Sequence, residues 1–375
     1  MTAIRRSLAY SIADSYLALP LQLVGTMIIS RLLTPAETGV FAVAAVFAAF
    51  ASTFRDFGVA EYLIQENELD AEKIRAALTV NIAISWAMAL LLFFFAPLAA
   101  DFYRSQGVAE VMRVQAFNFI LIPFGAVTMA YFRRELDFRP MFIAGLLANL
   151  TTFVVAILCA FWGFGYMSLA WSSLAGVVVT VGTSIWFRPA DFPKWPGVRG
   201  IVRVINFGKF ASGIYFFGQL GKGAPEMIIG RAQDMVGVAL FSRGSGLVEL
   251  FNRTVLRAVM PVCMPYFAQH NRQTGSMISG YLMSVSYLTA IGWPFLAFMG
   301  IVAYAAIRIV YGSQWMASVP LAQILCAAGA IELIHYLAKE ALIAGGDVKR
   351  SNLLQIVIQG GRIAGLFAVI PFGLI

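Results

Sequence analysis

The sequence predicts an all-α polytopic membrane protein of two pseudo-twofold-related six-helix lobes in parallel repeat, with about eleven transmembrane helices and the second lobe incomplete. Three observations carry this. Mean hydropathy is +0.80, and 60% of residues are hydrophobic against 12% charged, beyond the ~45–50% apolar share of soluble domains. Uncharged windows longer than the ~20 residues that cross a bilayer run from Ala76 to Ala100, Pro140 to Phe187 and Gln273 to Ile307, and Val114 to Phe132 is close to that length. Finally, Ile28-Ile29-Ser30-Arg31 is echoed by Ile228-Ile229-Gly230-Arg231. After each copy come Gly39-Val40 and Gly237-Val238, then Tyr62-Leu63-Ile64-Gln65 and Tyr266-Phe267-Ala268-Gln269, then Tyr103-Arg104-Ser105-Gln106 and Tyr311-Gly312-Ser313-Gln314. A unit written twice is a statement about fold.

The spans follow in order. Arg5-Arg6 before an apolar stretch looks like a signal peptide, but the stretch runs past Pro20 to Ser30 with Asp14 inside it and no small-x-small cleavage site, so it is the first span, 10–30. The second is placed at 38–58. Residues 60–75 mix five acids with two bases and read as a solvated inner loop with a short interfacial helix. The third span, 76–97, lies in an uncharged window, and the fourth, 109–131, covers most of another. Pro140 to Phe187 is too long for one helix and breaks at Trp162-Gly163-Phe164-Gly165-Tyr166, where glycines allow a turn and aromatics suit the lipid interface, giving 141–161 and 166–187. Three prolines and a glycine in Arg188 to Gly197 mark a linker. The remaining spans are 204–230, 236–256, 277–303, 318–343 and 352–375. The lobes are therefore 1–187 and 204–375, joined by a cytoplasmic linker at 188–203. Six helices before the linker put both lobes in one orientation, with the pseudo-twofold along the membrane normal.

With the N-terminus cytoplasmic, sixteen Lys and Arg, from Arg5 and Arg6 to Lys349 and Arg350, fall in inner loops. Only Arg31, Arg104, Arg231 and Arg308 fall outside, a strong positive-inside bias. The same distribution accounts for the net charge of +8 through anionic membrane lipid, without nucleic acid. Cys159, Cys263 and Cys326 have no paired spacing and read as small core residues. No P-loop, His-Glu-x-x-His or Cys-x-x-Cys is present, and Gly244-Ser245-Gly246 lacks the third glycine of a dinucleotide site. The chain reads as no enzyme and calls for no cofactor or metal.

The run Arg31-Leu32-Leu33-Thr34-Pro35-Ala36-Glu37-Thr38-Gly39-Val40-Phe41, then Asp56-Phe57-Gly58-Val59, resembles the start of polysaccharide-type flippases of the multidrug, oligosaccharidyl-lipid and polysaccharide exporter superfamily. Gly163-Phe164-Gly165-Tyr166-Met167-Ser168-Leu169-Ala170 and Asn206-Phe207-Gly208 extend the likeness over most of the chain. Each motif is degenerate; their order and spacing are fairly specific. The resemblance implies a secondary transporter of the bacterial inner membrane that moves polyprenyl-pyrophosphate-linked oligosaccharide outward by alternating access, for exopolysaccharide, capsule or O-antigen. It implies twelve or fourteen helices, more than this chain holds, and the polysaccharide polymerase or export machinery as a further partner. A cation-coupled multidrug exporter and a lipid II flippase of the same superfamily remain open. A membrane-embedded glycosyltransferase or polymerase would need catalytic groups in large outer loops, and these are only a few residues long.

Ionisable residues at membrane depth cost ~2.5–3.5 kcal/mol each on insertion scales and are the site candidates. Arg243 lies ~18 Å from Arg231 and ~15 Å from Arg253 at 1.5 Å per residue, at mid-bilayer. Gly244 and Gly246 beside it leave space for a bulky ligand or for a close helix contact. Lys222 is ~12 Å below the outer end, with Glu226 one turn on to neutralise it. The resemblance points the same way, since such flippases place cations on helices 7 and 8 in the central cavity. Arg362 is a further cavity cation. Glu332, His335 and Lys339 share a helix face at i, i+3, i+7 and form either a polar track or a structural seal. Asp14 matches Arg55 in depth and is a candidate latch of the cytoplasmic side, with interfacial placement as the alternative. These last five, with Glu226, are the candidates for coupling or gating. With no nucleotide motif, energy comes from an ion gradient, the membrane potential or the substrate gradient.

Overall fold

A computed structural model of the chain describes residues 20–56, 58–66, 68–274 and 277–369. It is helical and divides into two compact units, Met1–Leu220 and Gly221–Ile375. The first holds α1 at 20–32, α2 (Pro35–Asp56), α3 (Val59–Gln65), α4 (Ala71–Tyr103), α5 (Gln106–Leu121), α6 (Pro123–Arg134), α7 (Phe138–Phe161) and α8 (Met167–Trp186). Helix α9 (Ile201–Ala232) contains the boundary. The second unit continues with α10 (Met235–Phe251), a π-helical turn (Asn252–Leu256), α11 (Arg257–Thr274), α12 (Met277–Val310), a 3-10 turn (Ser313–Ser318), α13 (Val319–Glu332), α14 (Ala338–Ala344) and α15 (Val348–Val369). Among the described residues six helical stretches are long and apolar enough to cross a membrane, and α5 with α6 passes as a bent seventh.

Caps set several helix starts earlier than apolarity alone does. Thr34 and Glu37 form a capping box: the Thr34 amide donates to Glu37 Oε2 at 2.8 Å and the Glu37 amide donates to Thr34 Oγ1 at 3.3 Å. This opens α2 at Pro35, before the expected residue 38. Asp70 Oδ1 accepts from the Lys73 amide at 2.8 Å and opens α4 at Ala71, inside the stretch expected to be a loop. The second unit uses the same device, with Asp234 accepting from the Gly237 amide at 2.7 Å. The turn predicted at 162–166 is present, with Gly163 and Gly165 at φ 79 and 53, in the left-handed region that glycine enters without strain. Tyr166 closes that end of the first unit by donating to Glu110 Oε2 at 2.9 Å.

Two spans expected to be continuous are broken, one in each unit. The stretch 109–131 is α5 and α6, bent by 52° at Ile122-Pro123, where proline removes a helical donor. The stretch 318–343 is α13 and α14, separated by the turn at 333–337. At each break an indole from the preceding long helix reaches a carbonyl near the end of the first half. Trp86 Nε1 donates to the Ile120 carbonyl at 3.3 Å, and Trp293 Nε1 donates to the Ala330 carbonyl at 2.9 Å. The segment after 236–256, expected to be an inner loop, is α11, reached through the π-helical turn. In the first unit the counterpart is α3, reached across Gly58 at φ 66.

Residues 188–200 are not a loose connection. Phe192 is buried in the core formed with Tyr62, Leu63, Ala76, Ala77 and Val80, and its ring lies 5.3 Å from that of Tyr131. The Gly197 amide donates to Thr79 Oγ1 at 2.9 Å, and Thr79 Oγ1 donates to the Gly197 carbonyl at 2.7 Å. Arg188 donates through Nε to Thr128 Oγ1 at 3.1 Å and through Nη2 to the Phe124 carbonyl. The segment is thus strapped onto the first unit, and the buried Val204 carries the attachment into α9.

Candidate functional site

Arg243 sits on α10, eight residues after its first residue Met235, ~12 Å along the axis. Its Cζ lies 5.1 Å from the Tyr311 ring centroid and 4.9 Å from that of Trp315, within cation–π range. Both rings belong to the junction between α12 and α13 and are buried. The guanidinium is therefore held at that junction. Its Nε is buried without a hydrogen-bond partner among the described residues.

The two glycines beside Arg243 serve close packing. A Cβ on Gly244 would come within 3.2 Å of the Ala322 amide nitrogen, and one on Gly246 within 2.8 Å of Tyr311 Oη. Of the two readings of this pair, helix contact is the one the structure supports; α13 and Tyr311 fill the space.

At the far end of α13, Arg362 Nη2 meets Glu332 Oε2 at 3.1 Å. Glu332 and Arg362 each keep about 40% side-chain exposure (40% and 41%), so the pair is half open. The shared face of Glu332, His335 and Lys339 does not survive: α13 ends at Glu332, His335 lies in the turn, and Lys339 belongs to α14. The helical spacing fails because the helix itself stops. His335 Nδ1 instead lies 2.6 Å from the Glu332 carbonyl oxygen. From Leu321, beside Gly244, to Glu332 is eleven residues, ~16 Å along α13, so Arg243 and the Glu332–Arg362 pair occupy separate places in the second unit.

Glu226 lies on α9, one residue after Pro225; its Oε2 is buried without a hydrogen-bond partner among the described residues. Lys222 is on the same helix, and its side chain lies outside the described residues. Neighbouring Gly221 lets α15 approach closely, since a Cβ there would collide with Gln359 Oε1. In the first unit Arg55 Cζ is 5.8 Å from the Phe119 ring centroid. Its proposed partner Asp14 lies outside the described residues. A cavity of about 390 Å³ between α11 and α12 is lined by Val255, Val259, Tyr266, Tyr287 and Leu337 among others, with no charged side chain. None of the candidates lines it.

Attention to charge alone misses two sets of groups. The Tyr311 and Trp315 clamp carries no charge, though Tyr311 opens one of the repeated motifs. Asn118 Nδ2 donates to Gln115 Oε1 at 2.7 Å and to Ser173 Oγ at 3.2 Å, and Ser85 Oγ donates to Asn81 Oδ1 at 3.1 Å. Amides recurring inside uncharged windows are the signal for them.

A family model described as "Polysaccharide biosynthesis protein" matches residues 28–320. The chain is 25% identical over 335 residues to a succinoglycan biosynthesis transport protein of Rhizobium meliloti (strain 1021), covering 86% of this chain and 65% of that one. It is 22% identical over 395 residues to a lipopolysaccharide biosynthesis protein of Escherichia coli (strain K12), covering 96% and 75%. It thus spans about two thirds to three quarters of the length of these relatives (65% and 75%). An outward-facing multidrug resistance transporter of the MATE family in the MOP superfamily superposes with a TM-score of 0.57 at 16% identity, covering 94% of this chain and 85% of that one. At that identity the likeness is one of fold.

Proposed function

From the premise that the chain belongs to the family of polysaccharide biosynthesis proteins, we propose that it is a secondary flippase of the bacterial inner membrane. Its cargo is a polyprenyl-pyrophosphate-linked oligosaccharide, moved from the inner to the outer leaflet by alternating access for exopolysaccharide, capsule or O-antigen assembly. The observation that carries the reading is the family match over residues 28–320 in a chain of long apolar helices. Similarity to a relative named as a succinoglycan biosynthesis transport protein supports it.

In this reading the N-terminus is cytoplasmic and the lobes are 1–187 and 204–375. Arg243, Lys222 and Arg362 are the cations offered to the pyrophosphate, through charge-assisted hydrogen bonds. Arg362, paired with Glu332 at 3.1 Å, would exchange one anionic partner for another. The planar guanidinium of Arg243 would keep its donors for phosphate while its faces rest on Tyr311 and Trp315. The sugar crosses in water while the polyprenyl tail stays in lipid. Outward movement of a dianion across an inside-negative membrane is favoured by roughly 4.6 kcal/mol per 100 mV, so the potential alone can bias export. Glu226, Glu332, His335 and Lys339 in the second lobe, with Asp14 and Arg55 in the first, are the residues proposed for coupling or gating. The cargo is handed to a polysaccharide polymerase or export machinery.

Deleting the gene and scoring both surface polysaccharide and lipid-linked oligosaccharide tests the substrate class. Loss of surface polymer with accumulation of the lipid-linked precursor is expected; normal polymer with altered drug sensitivity would point to drug export instead.

A further inference from the structure

The strap that joins α8 to α9 turns two kinds of side chain to the surface. Phe192 and Val204 face the first unit's core, while Trp195, Val198 and Val202 are 77%, 78% and 69% exposed. Interleaved with them, Arg75, Lys194, Arg199 and Arg203 are exposed and carry no ion pair among the described residues. Arg75 joins the group because Gly197 packs against its side chain, and the Gly197 amide donates to the Arg75 carbonyl. Asp191 is the single acid between Arg188 and Asn206. An ordered segment with an exposed tryptophan and surplus cations suits a membrane interface better than bulk water.

Depth agrees within the first unit. Arg75 immediately precedes the uncharged window Ala76–Ala100 of α4, a helix long and apolar enough to cross a membrane. Gly197 packs on the Arg75 side chain, so the strap lies at the end of that span, where an interface is expected.

We propose that residues 194–206 with Arg75 form a docking surface for anionic phospholipid headgroups of the cytoplasmic leaflet. Trp195, Val198 and Val202 enter the interface and the four cations engage headgroup phosphates and acidic groups. The proposal rests on the orientation given above, and it is independent of what the protein transports. A soluble protein partner on this patch is the competing occupant.

The full chain in nanodiscs provides the test, with Trp195 fluorescence taken as the difference between wild type and Trp195→Phe. Brominated phosphatidylglycerol and brominated phosphatidylcholine are compared as quenchers at equal mole fraction. Each interfacial cation is worth about fivefold in anionic-lipid preference, so quenching by the glycerol lipid should exceed quenching by the choline lipid at least several-fold. The preference should collapse in Lys194→Gln/Arg199→Gln/Arg203→Gln, and in about 1 M salt, where the Debye length is ~3 Å. These residues are exposed, so the variant should fold as the wild type. Equal quenching by both lipids would overturn headgroup recognition. Quenching by neither would place the patch away from the bilayer and favour a protein partner. No transport is measured, so either failure is distinguishable from an error in the assigned cargo.

Discussion

Arg243 concentrates what one residue can say about the site. Its guanidinium rests on two buried aromatic rings, so replacing it removes a stacking partner as well as a charge. Arg243→Ala should abolish polymer export and lower thermal stability by about 1–2 kcal/mol, the range of a desolvated cation–π contact. Arg243→Lys keeps the charge without the flat faces and should recover part of the export at reduced stability. Export equal to wild type in Arg243→Ala would remove the residue from the mechanism. Arg362 poses a different question because Glu332 already pairs with it. If Arg362 serves the cargo, Arg362→Gln loses export and Glu332→Gln/Arg362→Gln does not recover it. Recovery in the double variant would make the pair a structural lock. In sequence, Arg243 stands out as a deep cation, but the rings that receive it lie about seventy residues away. Spacing along one helix cannot report such a contact.

At the scale of elements, the broken fourth helix recurs in both halves. The first break is marked by Pro123. The second has no proline or glycine at 333–337, so no helix breaker marks it and 318–343 reads as one span. The shared mark is tertiary, an indole donating to a carbonyl beside each break. Trp293→Phe leaves the Ala330 carbonyl without that donor and should cost about 1 kcal/mol. Trp86→Phe should cost a similar or smaller amount, given its longer bond. Because the two bonds lie in separate units, the double variant should show the sum, measured by thermal unfolding of the purified chain. A non-additive result would mean that the two breaks are coupled. The caps show the converse case: Thr34, Asp70 and Asp234 are signals that sequence carries, and apolarity alone set the helix starts too late.

For the whole molecule, composition is enough to give a helical membrane chain, because hydropathy acts over hundreds of residues, and the described residues are helical with several apolar spans. The connection at 188–203 was the hardest segment to read. Its prolines mark a departure from helix, while the docking of Phe192 and Gly197 depends on Thr79, Arg75 and Tyr131, far away in sequence. The scattered cations likewise suggest one deep basic site, yet in the second unit Arg243 rests on Tyr311 and Trp315 before α13 while Arg362 pairs with Glu332 at the last residue of that helix.

The most direct test of the flippase reading is movement of the cargo itself. The full chain would be reconstituted into liposomes carrying a polyprenyl-pyrophosphate-linked oligosaccharide with a fluorescent sugar, and leaflet exchange followed by quenching from outside. Exchange is expected to be faster than in protein-free vesicles, to be accelerated by a potential negative on the cytoplasmic side, and to be lost in Arg243→Ala. Exchange no faster than in empty vesicles, with the protein folded and inserted, would contradict the account.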